Sequence, residues 1–152
     1  SPVSMDPVLA RVVVNLSGIR PGEHLLDPFC GTGGILIEAG LCGIGVDGRD
    51  INEEMVSGTK ENLETYGIIS HDIKCNEVRK LKNLEKYSSI VCDLPYGKSS
   101  ETTEDAVNSF IDLIQKFDGK VVFMYNESSI GSLKSDFSIY VHGSLTRYIY
   151  IV

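Results

Sequence analysis

After Asp6-Pro7, apolar residues recur at Val8, Leu9, Val12, Val13 and Leu16 before Gly18. That spacing predicts a helix, and an acid followed by proline is a good start signal for one. Arg20-Pro21-Gly22-Glu23 reads as a turn and His24-Leu25-Leu26-Asp27 as a short apolar strand. Residues 33–41 predict a second helix, and the run from 44 to 47 or beyond a second strand. Asn52 caps a third helix, with Glu53 and Glu54 in the first turn, where the helix dipole favours acids. Met55, Thr59, Leu63 and Tyr66 mark its inner face, and Gly67 ends it. Ile73-Lys74-Cys75 and Ser89-Ile90-Val91-Cys92 are compatible with brief strands. Ala106, Val107, Phe110, Ile111, Leu113, Ile114 and Phe117 space out another helix before a strand at 121–125. The last segments, Ile139-Tyr140-Val141 and 148–152, alternate like a hairpin about His142-Gly143-Ser144.

Strands that alternate with helices build a parallel sheet covered on both faces. The expected fold is therefore α/β: a Rossmann-like, doubly wound, mostly parallel sheet with an antiparallel C-terminal hairpin, in one domain spanning residues 1–152. Sheets of this kind take ligands at the carboxyl ends of their strands. Two unusual segments fall at such ends: Asp27-Pro28-Phe29-Cys30-Gly31-Thr32-Gly33-Gly34, and Asp93-Leu94-Pro95-Tyr96.

In the first, glycines let backbone approach a ligand where a side chain would block it. The dinucleotide fingerprint would need glycine at 36, where Leu36 stands, and no Gly-Lys-Ser/Thr follows to make a P-loop. Such a turn suits a ligand without phosphates, such as S-adenosylmethionine. A carboxylate is then expected at the end of the next strand to accept from ribose hydroxyls. Asp47 and Asp50 compete, and Asp50 is favoured because it lies at the strand's exit. Glu77, after the third strand, is placed to accept from an adenine amine.

The second segment suits an amine acceptor. An exocyclic amine on an aromatic base is a weak nucleophile, because its lone pair is delocalised into the ring. Asp93 can accept one amine hydrogen and the Leu94 carbonyl another, favouring a pyramidal nitrogen; the carboxylate also stabilises positive charge developing there. Tyr96 offers a face for stacking, and Pro95 stiffens the loop by fixing its own φ and restricting Leu94.

Composition narrows the picture further. The 152 residues make about one domain, and no apolar run approaches the ~20 residues of a membrane span, so a cytoplasmic protein is expected. Cys30, Cys42, Cys75 and Cys92 lack metal-ligand spacing and read as buried, reduced thiols; His24, His71 and His142 are scattered, and no metal site is expected. A net charge of −7 argues against a grip on nucleic acid by this domain alone. The exception is a basic stretch, Arg79, Lys80, Lys82, Lys86 and Lys98, leading towards Asp93.

These residues resemble the class I amino-methyltransferases, with 27–34 as the cofactor loop and Asp93-Leu94-Pro95-Tyr96 as their D/N-P-P-Y motif. More narrowly, the chain is similar to the catalytic domain of the archaeal tRNA guanosine-10 N2-methyltransferases. The likeness includes Ser4-Met5-Asp6-Pro7-Val8-Leu9-Ala10-Arg11, Asn15-Leu16, residues 27–40, 55–67 and 93–97, and Ser144-Leu145-Thr146-Arg147. The resemblance implies S-adenosylmethionine as cofactor and methyl transfer to an exocyclic nucleobase amine, guanine N2 in tRNA first. By position it implies that Ser4 closes over the methionine moiety, lined by Asp27, Gly31 and Gly33. Asp50 then takes the ribose, Phe29 and Ile51 flank the cofactor in the same motifs, and Asp93 borders both cofactor and acceptor. Leu94 replaces the motif's first proline, keeping the carbonyl but losing rigidity, and Glu77 stands where the family has Asp. Full-length members also carry an RNA-binding THUMP region, so tRNA is expected to be held through an additional domain. A DNA or rRNA amino-methyltransferase shares the same motif, and a degenerate cofactor-binding module is the reading from a different class.

Overall fold

The computed structural model describes residues 5–96 and 101–152. Helix α1 (Pro7–Leu16) starts where Asp6 accepts from the Val8 N–H at 3.0 Å. It is followed by β1 (His24–Asp27), α2 (Gly34–Leu41), β2 (Gly45–Asp50), α3 (Glu53–Thr65) and β3 (His71–Cys75). Asn52 caps α3 by accepting from the N–H groups of Glu54 and Met55. After β3 come two 3-10 turns, Val78–Lys80 and Leu84–Lys86, then β4 (Ser89–Asp93), α4 (Glu101–Gln115) and β5 (Lys120–Tyr125). The chain finishes with two short strands, β6 (Ser129–Ile130) and β7 (Leu133–Lys134), and two longer ones, β8 (Phe137–His142) and β9 (Leu145–Ile151).

The main sheet has the order β3-β2-β1-β4-β5-β9-β8. Its first five members are parallel, while β9 runs antiparallel to both β5 and β8. The expected doubly wound sheet with a C-terminal hairpin is therefore the fold, with strands longer than the sequence suggested. The β6–β7 hairpin lies outside the main sheet and was not foreseen.

Strand alternation divides the interior into two cores. Leu25, Val46, Val91, Val122, Met124 and Ile149 face α1, α2 and α3. Leu26, Ile90, Cys92, Val121, Phe123 and Tyr150 face α4, where rings Phe29, Phe110, Phe123 and Tyr150 follow one another at centroid distances of 4.5–5.9 Å. The phase of two helices differs from expectation. On α1 the expected Leu9 and Val13 are buried, joined by Ala10 and Val14, while Val8 and Val12 point outward. On α3, Tyr66 is exposed and Val56 takes the inner place.

Alternation also explains Asp47, a carboxylate in mid-strand. It shares the second face with Leu26, but at β2 that face is covered by the 3-10 turns and not by a helix. Asp47 is 2% exposed, accepts from the Tyr87 hydroxyl at 2.5 Å and pairs with Lys86 at 2.7 Å. Arg49, on the same face, donates to the carbonyls of Gly48 and Asp72 and pairs with the Asp72 carboxylate.

Candidate active site

The strand order reverses between β1 and β4, the switch point at which sheets of this class open a crevice. Three strands around it end in an aspartate: Asp27 on β1, Asp50 on β2 and Asp93 on β4. Counting by two from Leu25, Val46 and Val91 puts all three on the face of α2 and α3. A cavity of about 1220 Å³ opens at this edge.

Of the residues singled out in the sequence, Phe29, Asp50, Ile51, Glu77, Asp93, Leu94, Pro95 and Tyr96 line that cavity together. Asp27, Gly31 and Gly33 do not line it but form its support. Asp27 is 2% exposed and accepts the Phe29 N–H at 2.9 Å, holding the start of the loop. The Gly31 N–H donates to Asp50 at 3.0 Å, tying the loop to the end of β2. Gly33 has φ +90°, and a Cβ there would meet Thr59 of α3 at 3.0 Å, so glycine is required by backbone and packing alike. Ser4 lies outside the described residues, as does the end of the basic stretch at Lys98.

Asp50 lines the cavity while Asp47 is committed to Tyr87 and Lys86 on the opposite face. Both Asp50 oxygens already accept one N–H, from Gly31 and Asn52, and each keeps a further lone pair. Glu77 stands at the cavity wall with its carboxylate paired to Arg79.

At the end of β4, Asp93 is half-buried, and its Oδ2 accepts from Arg147 Nη1 at 2.5 Å. Its Oδ1 is buried and has no hydrogen-bond partner among the described residues. Burial raises the Asp93 carboxyl from its ordinary range, and Arg147 opposes the rise by charge and by hydrogen bond. Burial likewise pushes Asp27 well above the usual carboxylate range; the Phe29 N–H works against this, and the charges of Asp93 and Asp50 add to it. Asp93 and Asp50, the two acids whose charges raise Asp27, stand at the cavity wall, and carboxylates so placed favour a cationic ligand.

Leu94 shows how the motif tolerates losing its first proline. Its side chain is 1% exposed in the α4 core, and its N–H donates to Met124 O at 2.9 Å, a bond proline cannot make. Rigidity lost from the ring is thereby regained from packing and β5.

Arg147 had figured only within a segment of family likeness, with no role given to it. Besides holding Asp93, its guanidinium lies 5.5 Å from the centroid of the Tyr96 ring. Only a pairing between distant strands brings these residues together, so local sequence carries no signal for it.

The thiols are less uniform than expected. Cys30 and Cys92 are buried, Cys42 is half-buried and Cys75 is exposed. Burial pushes the Cys30 thiol up to about 12 and the Cys92 thiol well above its usual value, so neither is a nucleophile. Among the described residues, no group of three or more His, Cys, Asp or Glu is placed to hold a metal ion. Nor is any described helix long and apolar enough to cross a membrane.

Comparison with known proteins identifies the family and the fold. Over 99% of its length the chain is 43% identical to the tRNA (guanine(10)-N2)-dimethyltransferase of Methanothermobacter thermautotrophicus, of which it spans 49%. It is 38% identical over 94% of its length to a Methanothermococcus thermolithotrophicus protein named probable tRNA (guanine(10)-N2)-dimethyltransferase, of which it spans 96%. The fold matches that of SMU.472, a putative methyltransferase complexed with SAH, at a TM-score of 0.82 and 17% identity, covering 95% of this chain and 52% of that one. Residues 1–128 match the model of the UPF0020 family, and the chain therefore belongs to the RMKL-like methyltransferase domain family.

Proposed function

We propose that this protein is an S-adenosylmethionine-dependent N-methyltransferase whose acceptor is guanine N2 in tRNA. The observation that carries this reading is Asp93: an aspartate at the cavity wall with one oxygen held by Arg147 and the other buried and, among the described residues, unpartnered. A buried acceptor left unsatisfied costs about 1–3 kcal/mol, and a site that carries one calls for a donor. An exocyclic amine supplies that donor. The names of the archaeal relatives support guanine as the base and tRNA as its carrier.

The residues present fit the cofactor, because three aspartates and no phosphate-binding turn suit a cationic, phosphate-free ligand. When bound, S-adenosylmethionine supplies an electrophilic methyl group on a sulfonium. Asp50 accepts from the ribose hydroxyls through its remaining lone pairs, and Glu77 accepts from the adenine amine. Phe29 and Ile51 provide apolar contact, and Asp27, Gly31 and Gly33 shape the floor. On the acceptor side, Asp93 and the Leu94 carbonyl each take an amine hydrogen. The nitrogen lone pair is then directed away from the ring, and the Asp93 charge stabilises the positive charge that develops. Pro95 stiffens the turn, and Tyr96, 38% exposed, offers a face for stacking on a base drawn out of its helix.

Part of this domain's basic stretch is already engaged by its own acids, and acids outnumber bases over the whole chain. Within the basic stretch Arg79 is paired with Glu77 and Lys86 with Asp47, and the net charge is −7. tRNA is therefore gripped chiefly through a further RNA-binding region, and the cytoplasm is the compartment that fits such a substrate. The test is transfer of labelled methyl from S-adenosylmethionine to unmodified tRNA by the full-length protein, followed by nucleoside analysis. Label in N2-methylated guanosine is expected. Label confined to adenosine or cytidine would point to a different amino-methyltransferase, and no transfer with any RNA or DNA would leave a cofactor-binding module.

A further inference from the structure

We infer that Arg147 is the positioning residue of the acceptor half of the site, fixing the Asp93 carboxylate through an ion pair and the Tyr96 ring through a cation–π contact. This rests on the reading that Asp93 and Tyr96 hold the acceptor. The last strand explains how a residue so far along the chain arrives there. Because β9 runs antiparallel to β5, its first residues lie at the carboxyl edge of the sheet, where the cavity opens. Tyr148 pairs with Tyr125, the final residue of β5, so Arg147 falls one step past the end of that strand. By alternation it shares a face with Ile149 and Met124, the same face as Asp93. Its side chain thus crosses the end of β5 to reach β4.

The contact is built rather than incidental. The side chains of Arg147 and Asp93 are 13% and 23% exposed, so the pair is shielded from water, unlike a surface ion pair. One guanidinium engages both acceptor residues, the carboxylate through hydrogen bonding and the aromatic ring through its face. A carboxylate on a strand end rotates freely unless something holds its plane, and the backbone bond from Leu94 to Met124 fixes only the main chain. Arg147 fixes the side chain. It also preserves the charge that Asp93 needs, since burial alone favours the neutral acid and Arg147 opposes it.

The other charged groups around the recess do not take this part. They are Asp27 on β1, Asp50 on β2, the paired Glu77 and Arg79 with Lys80 beyond β3, and Asp105 and Asp112 on α4. Tyr125 on β5 and Cys92 on β4 itself are the neighbouring neutral groups that titrate at high pH. Arg79 and Lys80 follow β3, three places from β4 in the sheet, and Arg79 is already engaged with Glu77.

The experiment compares wild type with Arg147→Ala, Arg147→Gln and Arg147→Lys in the full-length protein. The readouts are single-turnover methyl transfer to unmodified tRNA across pH and S-adenosylhomocysteine affinity by calorimetry. For Arg147→Ala the expected result is a rate loss of about 10²-fold, typical of a misplaced reacting group, with cofactor affinity retained. The sign of the pH effect follows from charge. Removing the guanidinium raises the Asp93 pKa further, so the acid limb of the rate profile moves to higher pH. Arg147→Lys restores the limb towards wild type but recovers the rate only in part, because an ammonium holds no carboxylate plane. Arg147→Gln keeps a donor without charge and leaves the limb displaced, and it stands in should the alanine variant not fold. Wild-type rate and acid limb in the alanine and glutamine variants would overturn the inference, as would equal losses of rate and cofactor affinity. An Asp93→Ala control separates the two claims: if it is inactive while the Arg147 variants are normal, only the role of Arg147 fails, and if it is fully active, the acceptor reading fails first.

Discussion

The loop after β1 is tied down from several sides by bonds to its immediate surroundings. Cys30 N–H donates to Arg49 O, Gly31 N–H to Asp50, Thr59 to Gly31 O and Asn62 to Thr32 O, at 2.6–3.0 Å. Among its described residues, 94–96, the loop after β4 is tied by a backbone bond from Leu94 to Met124, and the aspartate before it is anchored by Arg147, which lies 54 residues away. The first arrangement suits the methyl donor common to every turnover, because β2 and α3 hold its loop in place. The second takes its side-chain anchor from a distant strand and stands at the cavity wall, which suits the placing of an acceptor. The two halves should therefore fail independently.

The largest expected effect is on the acceptor side. Asp93→Ala should reduce the rate of the chemical step by about 10²–10³-fold, the usual cost of removing a preorganised electrostatic partner. Stopped single-turnover transfer at saturating cofactor measures it directly. A smaller and different effect is expected from Asp50→Ala, which removes a carboxylate that anchors the Gly31 N–H and faces the cavity. Cofactor affinity should fall by roughly 1–3 kcal/mol, read by calorimetry, and the rate at saturating cofactor should fall far less. The smallest effect should come from a place that touches neither half. Tyr87→Phe deletes the hydroxyl bonded to Asp47, while Lys86 still pairs with that carboxylate. About 1 kcal/mol of stability should be lost, or some 2–4 °C in Tm, with affinity and rate unchanged. A fall in cofactor affinity in that variant would return Asp47 to the ribose-binding role.

The same contrast explains what could be read from the chain. The cofactor half was legible because its signals are local: glycines at a strand exit, an acid at the next exit, and a capping Asn two residues on. The sheet was legible for the same reason, through runs of Leu, Ile and Val between turn residues. Helix phase was less so, because Val8 and Tyr66 are apolar enough to look inward although packing turns them outward. Asp47 was identified as a strand residue without an account of its polarity, since a 3-10 turn 40 residues further on supplies its partner. Arg147 is the limiting case. Its chemistry is created by an antiparallel pairing that sequence patterning proposed only as a terminal hairpin, with no indication of what the hairpin would bring to the site.

The separation of the halves is tested most directly by titrating S-adenosylhomocysteine into wild type, Asp93→Ala and Asp50→Ala side by side. Asp93→Ala should bind as wild type does although its transfer rate falls by about 10²–10³-fold, and Asp50→Ala should bind more weakly. Equal weakening in both variants would contradict the account, because it would mean that the cofactor and acceptor residues form one interdependent site.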